Sequence, residues 1–278
     1  YSIHSDAGTG NNTTLFLFGG WKDNGQYIEK TPAGGKRYGE ILTPNLTGVM
    51  YNTTTRGNFY DRVYYNGDVA THDNKYPYLS VNRRTNMASL LSEGGFHTHP
   101  VQQGLNMNES YKRLEAFGTF RSIMEYCGLT RPDMVLLVGV VTNSENGEAL
   151  DGVTVTVDGK TVVTDTYESL FKKYVRSPGI VHNGFFLFEG LEPGKEYEIT
   201  YSCPGFESKS QKVTMKSNPQ GLSGENVTWG NIALTSNAPA VVASNSVANP
   251  AAVNTREDIV LTFSRNMDKA SVEKAFSI

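Results

Sequence analysis

The feature that most constrains this chain is a change of hydrophobic period at Met134. Beyond it, VLLVGVV (135–141), VTVTV (153–157), TVVT (161–164), FFLF (185–188), YEITY (197–201) and KVTM (212–215) are short apolar or alternating runs. Alternation places successive side chains on opposite faces of a sheet. The runs are separated by Asn146-Gly147, Asp158-Gly159, Asn183-Gly184 and Pro193-Gly194, residue types that accept positive φ in tight turns. Residues 134–235 are therefore predicted to form an all-β sandwich.

Residues 1–132 have a different texture. TLFLFGG (14–20), YLSV (78–81) and MASLLSEGG (87–95) have strand length and stop at Gly or polar residues, as buried strands of an α/β sheet do. A helix is predicted from about Asn108 to Cys127, with Tyr111, Leu114, Phe117, Phe120, Ile123, Met124 and Cys127 on one stripe and Gly128 as the stop. A second helix surrounds Tyr38, Ile41, Leu42, Leu46, Val49 and Met50, with Pro44 expected to kink or start it rather than sit inside it. Thr130 to Asp133 marks a linker. A further linker near 235–250 leads to strand-like EDIVLTFS (257–264), the opening of a third module.

The expected architecture is multidomain. An α/β unit with a mostly parallel sheet and helices spans 1–132, a β sandwich spans 134–235, and a β module cut before it closes spans 238–278. A length of 278 residues suits two or three such units. The sequence opens at Tyr1 without an initiator Met, a basic n-region or an apolar h-region, so any export signal is expected to have been removed or to lie upstream, and the chain reads as an internal piece of a longer protein.

Twenty-five basic and 28 acidic residues leave a net charge of -3, which disfavours a nucleic-acid partner. No run approaches the roughly 18 apolar residues of a membrane span. Cys127 and Cys203 fall in separate units and specify neither a disulfide framework nor a metal knuckle.

The chemistry centres on two segments. SIHSDA (2–7) puts His4 at the end of a short apolar run, and SLLSEGGFHTHP (89–100) puts Glu93 where a strand stops at Gly94-Gly95. Ligands in open α/β sheets gather outside the carboxyl ends of strands, so the two side chains are expected to meet there. An imidazole is a good zinc ligand, and a nearby non-ligating carboxylate can take a proton from water and return it to a leaving amine. The pairing points to metal-assisted hydrolysis.

SIHSDA, RRTNMASLLSEGGF (83–96) and NESYKRLEAFGTFRSIMEY (108–126), in that order, resemble the carboxyl-terminal half of zinc-dependent N-acetylmuramoyl-L-alanine amidases of the amidase_3 type. The resemblance implies that His4 is a zinc ligand, that Asp6 occupies the family's Asn/Asp position, and that Glu93 is the catalytic glutamate. Arg83 stands at the family's Arg position and Gly95-Phe96 follow the glutamate. Ala88 stands where the family has proline, which touches loop stiffness more than chemistry. It further implies cleavage of the amide between N-acetylmuramic acid and L-Ala in peptidoglycan, with Zn2+ as cofactor. The family's first two zinc ligands belong to motifs that precede the SIHSDA position, so this chain by itself is expected to be inactive.

Several residues carry two readings. Arg83 and Arg84 could form a fork for a stem-peptide carboxylate, or be solvated cations at a strand start. Asp6 could orient a ligand or cap a turn. His97-Thr98-His99 could hold a metal or be a polar loop closed by Pro100, while His72 and His182 read as loop residues. FLFGGW (16–21) and YDRVYY (60–65) could stack on sugars, although burial in a core is the commoner fate of such rings.

Residues 135–235 resemble a carboxypeptidase regulatory-like domain, a small β sandwich without catalytic residues. Residues 238–278 resemble the first part of a bacterial Ig-like module. Both imply an exported, surface or cell-wall protein. The rival expectations are a non-enzymatic surface protein whose β modules bind a glycan or protein, and a different zinc hydrolase such as a peptidase.

Overall fold

In a computed structural model of the chain, the described residues are 1–8, 13–50, 54–66, 75–165, 182–237, 242–246, 258–264, 267 and 269–275. The first unit contains β1 (Ser2–His4), β2 (Thr13–Phe18), β3 (Gly20–Asp23), β4 (Gln26–Glu29), α1 (Gly35–Val49), β5 (Thr54–Tyr60), α2 (Asp61–Asn66), α3 (Ser80–Arg84), β6 (Leu90–Glu93), α4 (Pro100–Asn106) and α5 (Glu109–Tyr126). Its sheet has the order β1-β6-β2-β5. The β1–β6 and β2–β5 pairs are parallel, and β2–β6 is antiparallel. The content is mixed α/β, as expected, with one antiparallel join in the sheet.

Both faces of this sheet are covered, so its central strands read as nearly continuous apolar runs. Phe16, Phe18 and Leu90 meet Leu42, Leu46, Leu114 and Phe117 of α1 and α5. Leu15, Leu17 and Leu91 meet Phe96, Tyr64 and Leu79 on the opposite face. The start of α1 has no side-chain cap of its own. Instead the Glu29 carboxylate accepts the Gly34 and Lys36 N–H groups at 2.8 and 3.0 Å, placing negative charge at the positive end of the helix.

Three local expectations differ from the structure. Pro44 lies inside α1, on its exposed side, so the carbonyl it leaves without an N–H partner belongs to the exposed Glu40. Residues 78–81 form no strand. Asp61 accepts the Tyr78 and Leu79 N–H groups at 3.1 and 3.0 Å and the Asn82 amide at 3.0 Å, so the backbone turns into α3. On α5 the stripe is buried only through Tyr111, Leu114 and Phe117, while Phe120 and Ile123 are exposed. Its last turns bury Arg121 and Ser122 instead.

The second unit is a sandwich of two four-stranded sheets. Its strands are β7 (Leu136–Asn143), β8 (Thr154–Val157), β9 (Lys160–Val163), β10 (Phe185–Phe188), β11 (Glu196–Ser202), β12 (Lys209–Thr214), β13 (Val227–Trp229) and β14 (Ile232–Leu234). The inner sheet runs β10-β7-β13 with β14 also on β7, and the outer sheet runs β12-β11-β8-β9. Asp158-Gly159, with φ of 51° and 74°, makes the two-residue turn between β8 and β9. Leu137, Phe186 and Phe188 interdigitate with Val155, Val157, Ile199 and Tyr201 between the sheets.

The inner sheet is buried on both faces along most of its length. Leu136, Val138, Phe185, Leu187 and Val227 point away from the sandwich core and join the core of α1 and α5. Tyr111 of α5 meets Phe185 edge to face, with ring centroids 5.6 Å apart. The 130–133 segment is therefore no free tether. The buried Arg121 donates to the carbonyls of Pro132, Pro219 and Gly221 at 3.0, 3.1 and 3.1 Å. Arg131 is buried beside it, paired with Glu125 at 2.7 Å and with the Gln220 carbonyl.

Beyond the sandwich, β15 (Val242–Asn245) and β16 (Leu261–Phe263) form an antiparallel pair, followed by α6 (Lys269–Ala275). Of the linker expected near 235–250, residues 238–241 and 247–250 lie outside the described residues, while 242–245 form strand β15 rather than linker. Among the described residues, no helix is long and apolar enough to cross a membrane.

Candidate functional site

His4 and Glu93 are register partners across the parallel β1–β6 pair. In-register neighbours of a parallel pair project to the same face, with Cα atoms about 4.8 Å apart. Both sit at the carboxyl ends of their strands, the position the sequence predicts for them. Gly94 continues the ladder by donating its N–H to the His4 carbonyl at 2.9 Å. On the other side, Glu93 is opposite Leu15 of β2.

This flanking makes an asymmetric environment for the carboxyl group. Glu93 is 6% exposed, and its Oε2 has no hydrogen-bond partner. Burial, reinforced by the negative charge of Asp6, pushes its pKa from 4.5 up to about 7. A carboxyl group poised near neutrality exchanges protons readily in either direction. His4 is exposed by contrast, and its Nε2 lies 2.9 Å from the Ser2 hydroxyl, two residues back on the same face. Asp6 accepts the N–H of Ala7 through its carboxylate and that of His97 through its carbonyl.

The turn after Glu93 tolerates little change. A Cβ on Gly94 would lie 2.5 Å from Glu115 Oε1, and one on Gly95 would lie 2.6 Å from Gln102 Cδ. Gly95 also has φ +134°. The Gly-Gly pair thus lets α4 and α5 press directly on the backbone that carries Glu93.

The structure does not bring every candidate together. Arg83 and Arg84 end α3, before β6 begins, whereas Glu93 ends that strand; the strand's rise alone separates them by about 10 Å. Arg83 lies over the Tyr76 ring at 5.2 Å. His97 Nδ1 is 3.0 Å from the Ser5 carbonyl, and His99 accepts the Gln102 N–H at 3.4 Å as the cap of α4. Those two imidazoles serve local structure. His72 lies outside the described residues. His182 contacts the Asp151 carboxylate.

Sequence reasoning missed two neighbours of the site. Ser2 was detectable, being two residues from His4 on a strand. Tyr65 falls in YDRVYY, which reads as a core or sugar-stacking stretch, and only the docking of α2 brings its ring within electrostatic reach of Asp6 and Glu93. The two charges and burial push its hydroxyl up to about 12, burial being the largest cause.

Zinc does not fit these residues as a complete site. A hydrolytic zinc takes three protein ligands and keeps an open position. Among the described residues, no three His, Cys, Asp or Glu side chains converge on a common point. His4 is one available donor.

No family model matches the chain, and no curated protein matches it. Among solved structures, it is similar to a protein of unknown function from Bacteroides fragilis NCTC 9343. That match has 18% identity and a TM-score of 0.27, and it covers 40% of this chain and 31% of that one. The chain thus spans about a third of the length of the structure it matches.

Proposed function

We propose that Glu93 is the general acid–base of an amide hydrolase acting on peptidoglycan, at the bond between N-acetylmuramic acid and L-Ala. The single observation that supports this is the His4–Glu93 register pair, with a buried, unpartnered carboxyl oxygen at the carboxyl ends of two parallel strands. In this reading Glu93 takes a proton from the attacking water and returns it to the departing nitrogen, and its neutral-range pKa suits both halves of that exchange. Asp6 tunes Glu93 by its charge. Zn2+ enters the reading only through His4 as one donor; the described residues supply no second and third ligand beside it, so the proton transfers assigned here belong to Glu93 alone. Action on peptidoglycan places the protein outside the cytoplasm.

A second reading is a non-enzymatic, exported surface protein whose α/β unit no longer turns over substrate. In this reading His4 and Glu93 are remnants of a hydrolase site, and the β modules bind a glycan or protein. One experiment separates the two. Purified peptidoglycan is incubated with the full-length protein or its Glu93→Gln variant, with zinc content measured in both, and freed stem peptides are assayed. Release that disappears in the variant at equal zinc content supports hydrolysis. Equal release by both overturns the role of Glu93, and no release by either favours the surface protein.

A further inference from the structure

A row of planar side chains crosses the face of the first sheet's unit, from α3 toward the Glu93 end. Arg83 lies 5.2 Å from the Tyr76 ring, and the Arg62 guanidinium lies 4.5 Å from Tyr76 and 5.6 Å from Tyr78. Tyr78 stacks on Tyr65 with centroids 4.7 Å apart and planes 23° apart. Tyr65 in turn meets Tyr64 edge to face with centroids 5.2 Å apart, and Tyr64 packs on the cluster of Leu15, Leu91 and Phe96, of which Leu15 is the register partner of Glu93. The row therefore joins the arginine singled out in the sequence to the candidate catalytic carboxyl group.

The row is braced from beneath. Asp61 is fully buried and fixes the Tyr78 and Leu79 backbone, while Arg62 donates to the Tyr76 carbonyl at 2.5 Å. Yet Tyr65, Tyr76 and Tyr78 remain 41%, 39% and 43% exposed. Rings held this firmly while leaving so much surface in water are unusual for a core and ordinary for a recognition surface.

We propose that this row is a sugar-binding subsite that holds the glycan portion of the substrate, an oligomer of N-acetylated pyranoses, beside Glu93. The chemistry favours that occupant. A pyranose has apolar C–H faces and a hydroxyl rim, which match aromatic surface edged by phenol hydroxyls and the exposed Arg83 guanidinium. Among the described residues the carboxylate beneath the row, Asp61, is fully buried, and a net charge of -3 disfavours a polyanion. The inference rests on the hydrolase reading for the identity of the sugar, but not for the existence of the subsite.

The test is calorimetric titration of the full chain with the soluble tetramer of N-acetylglucosamine, alongside a sugar-free stem peptide. The wild type is expected to bind the sugar saturably. Tyr78→Ala and Tyr65→Ala are each expected to weaken it about tenfold, and Tyr78→Phe to stay within about threefold. Both truncations affect half-exposed rings, and an unchanged thermal midpoint shows that the fold persists. Absence of saturable sugar binding by the wild type overturns the proposal, as does binding that both alanine variants leave intact. Binding of the stem peptide alone, lost in Tyr78→Ala, overturns it in favour of a peptide surface. Sugar binding without stem-peptide release by the full-length protein sinks the hydrolase reading only; release without sugar binding sinks this one only.

Discussion

The side-chain oxygen of Asn45, on α1, accepts both the backbone N–H and the hydroxyl of Ser223 at 2.7 Å each, across 178 residues of chain. Both residues are fully buried. The bond ties the helical layer of the first unit to the 3-10 turn Ser223–Asn226 of the second, and it sits beside the apolar join formed by Leu46 and Val227.

Residues 134–235 expressed alone should therefore behave poorly. Separation would bare Leu136, Val138, Phe185, Leu187 and Val227, each worth roughly 1.5–3 kcal/mol of burial. Strong binding of a hydrophobic dye and a tendency to associate are expected for the isolated segment. A well-dispersed, dye-free monomer would contradict the shared core.

Replacing Arg121 with Met should destabilise the whole chain by about 2–4 kcal/mol, because several buried carbonyls lose a charged donor at once. Calorimetry should also resolve two unfolding steps where the wild type shows one for these units. A single transition at an unchanged midpoint would show that the guanidinium does not couple them.

Gly95→Ala should destabilise by at least about 2 kcal/mol, combining a left-handed φ with a contact against Gln102. Gly159→Ala offers the comparison. It shares a positive φ but has open space around the added methyl, so its cost should be near 1 kcal/mol. Chemical denaturation of both variants checks the order.

Glu93 should titrate near pH 7, which carboxyl-carbon NMR of labelled glutamate can follow. The sign of its effect on stability follows from the raised value. Below the ordinary pKa of 4.5 both folded and unfolded chains hold the proton, and the neutral group rests in its apolar site. As pH rises through 7 the folded chain must ionise it there, and that stability is lost. Glu93→Gln should accordingly exceed the wild type in stability on the alkaline side, by on the order of 1–2 kcal/mol after allowing for solvent screening at the sheet edge, and match it in acid. A difference that grows toward low pH would contradict the assignment.

Much of this was legible in the chain itself. Short apolar or alternating runs between positive-φ turns give five of the sandwich strands nearly at their observed bounds, since VTVTV and YEITY have one wet and one dry face, while KVTM catches only the second half of β12. The placement of His4 and Glu93 was legible because both end short apolar runs. What escaped depended on distant partners. YLSV reads as a strand until Asp61 takes its N–H groups, and the outward face of FFLF gives no hint that a helix from another unit will cover it. The short β13 and β14 carry too few residues for a period to show, and they pair with β7 only in three dimensions.

The two-sided inner sheet also limits how a chain of this kind can change over time. A join sealed by Phe185 and Val227 on one side and Phe186 on the other cannot be cut and respliced at residue 133 like a bead on a string; both partners must be inherited together. Variation is free to accumulate on the outward rows of β11 and β12, whose alternate residues face solvent, whereas a turn glycine such as Gly205, with φ +84°, resists a side chain even in open space.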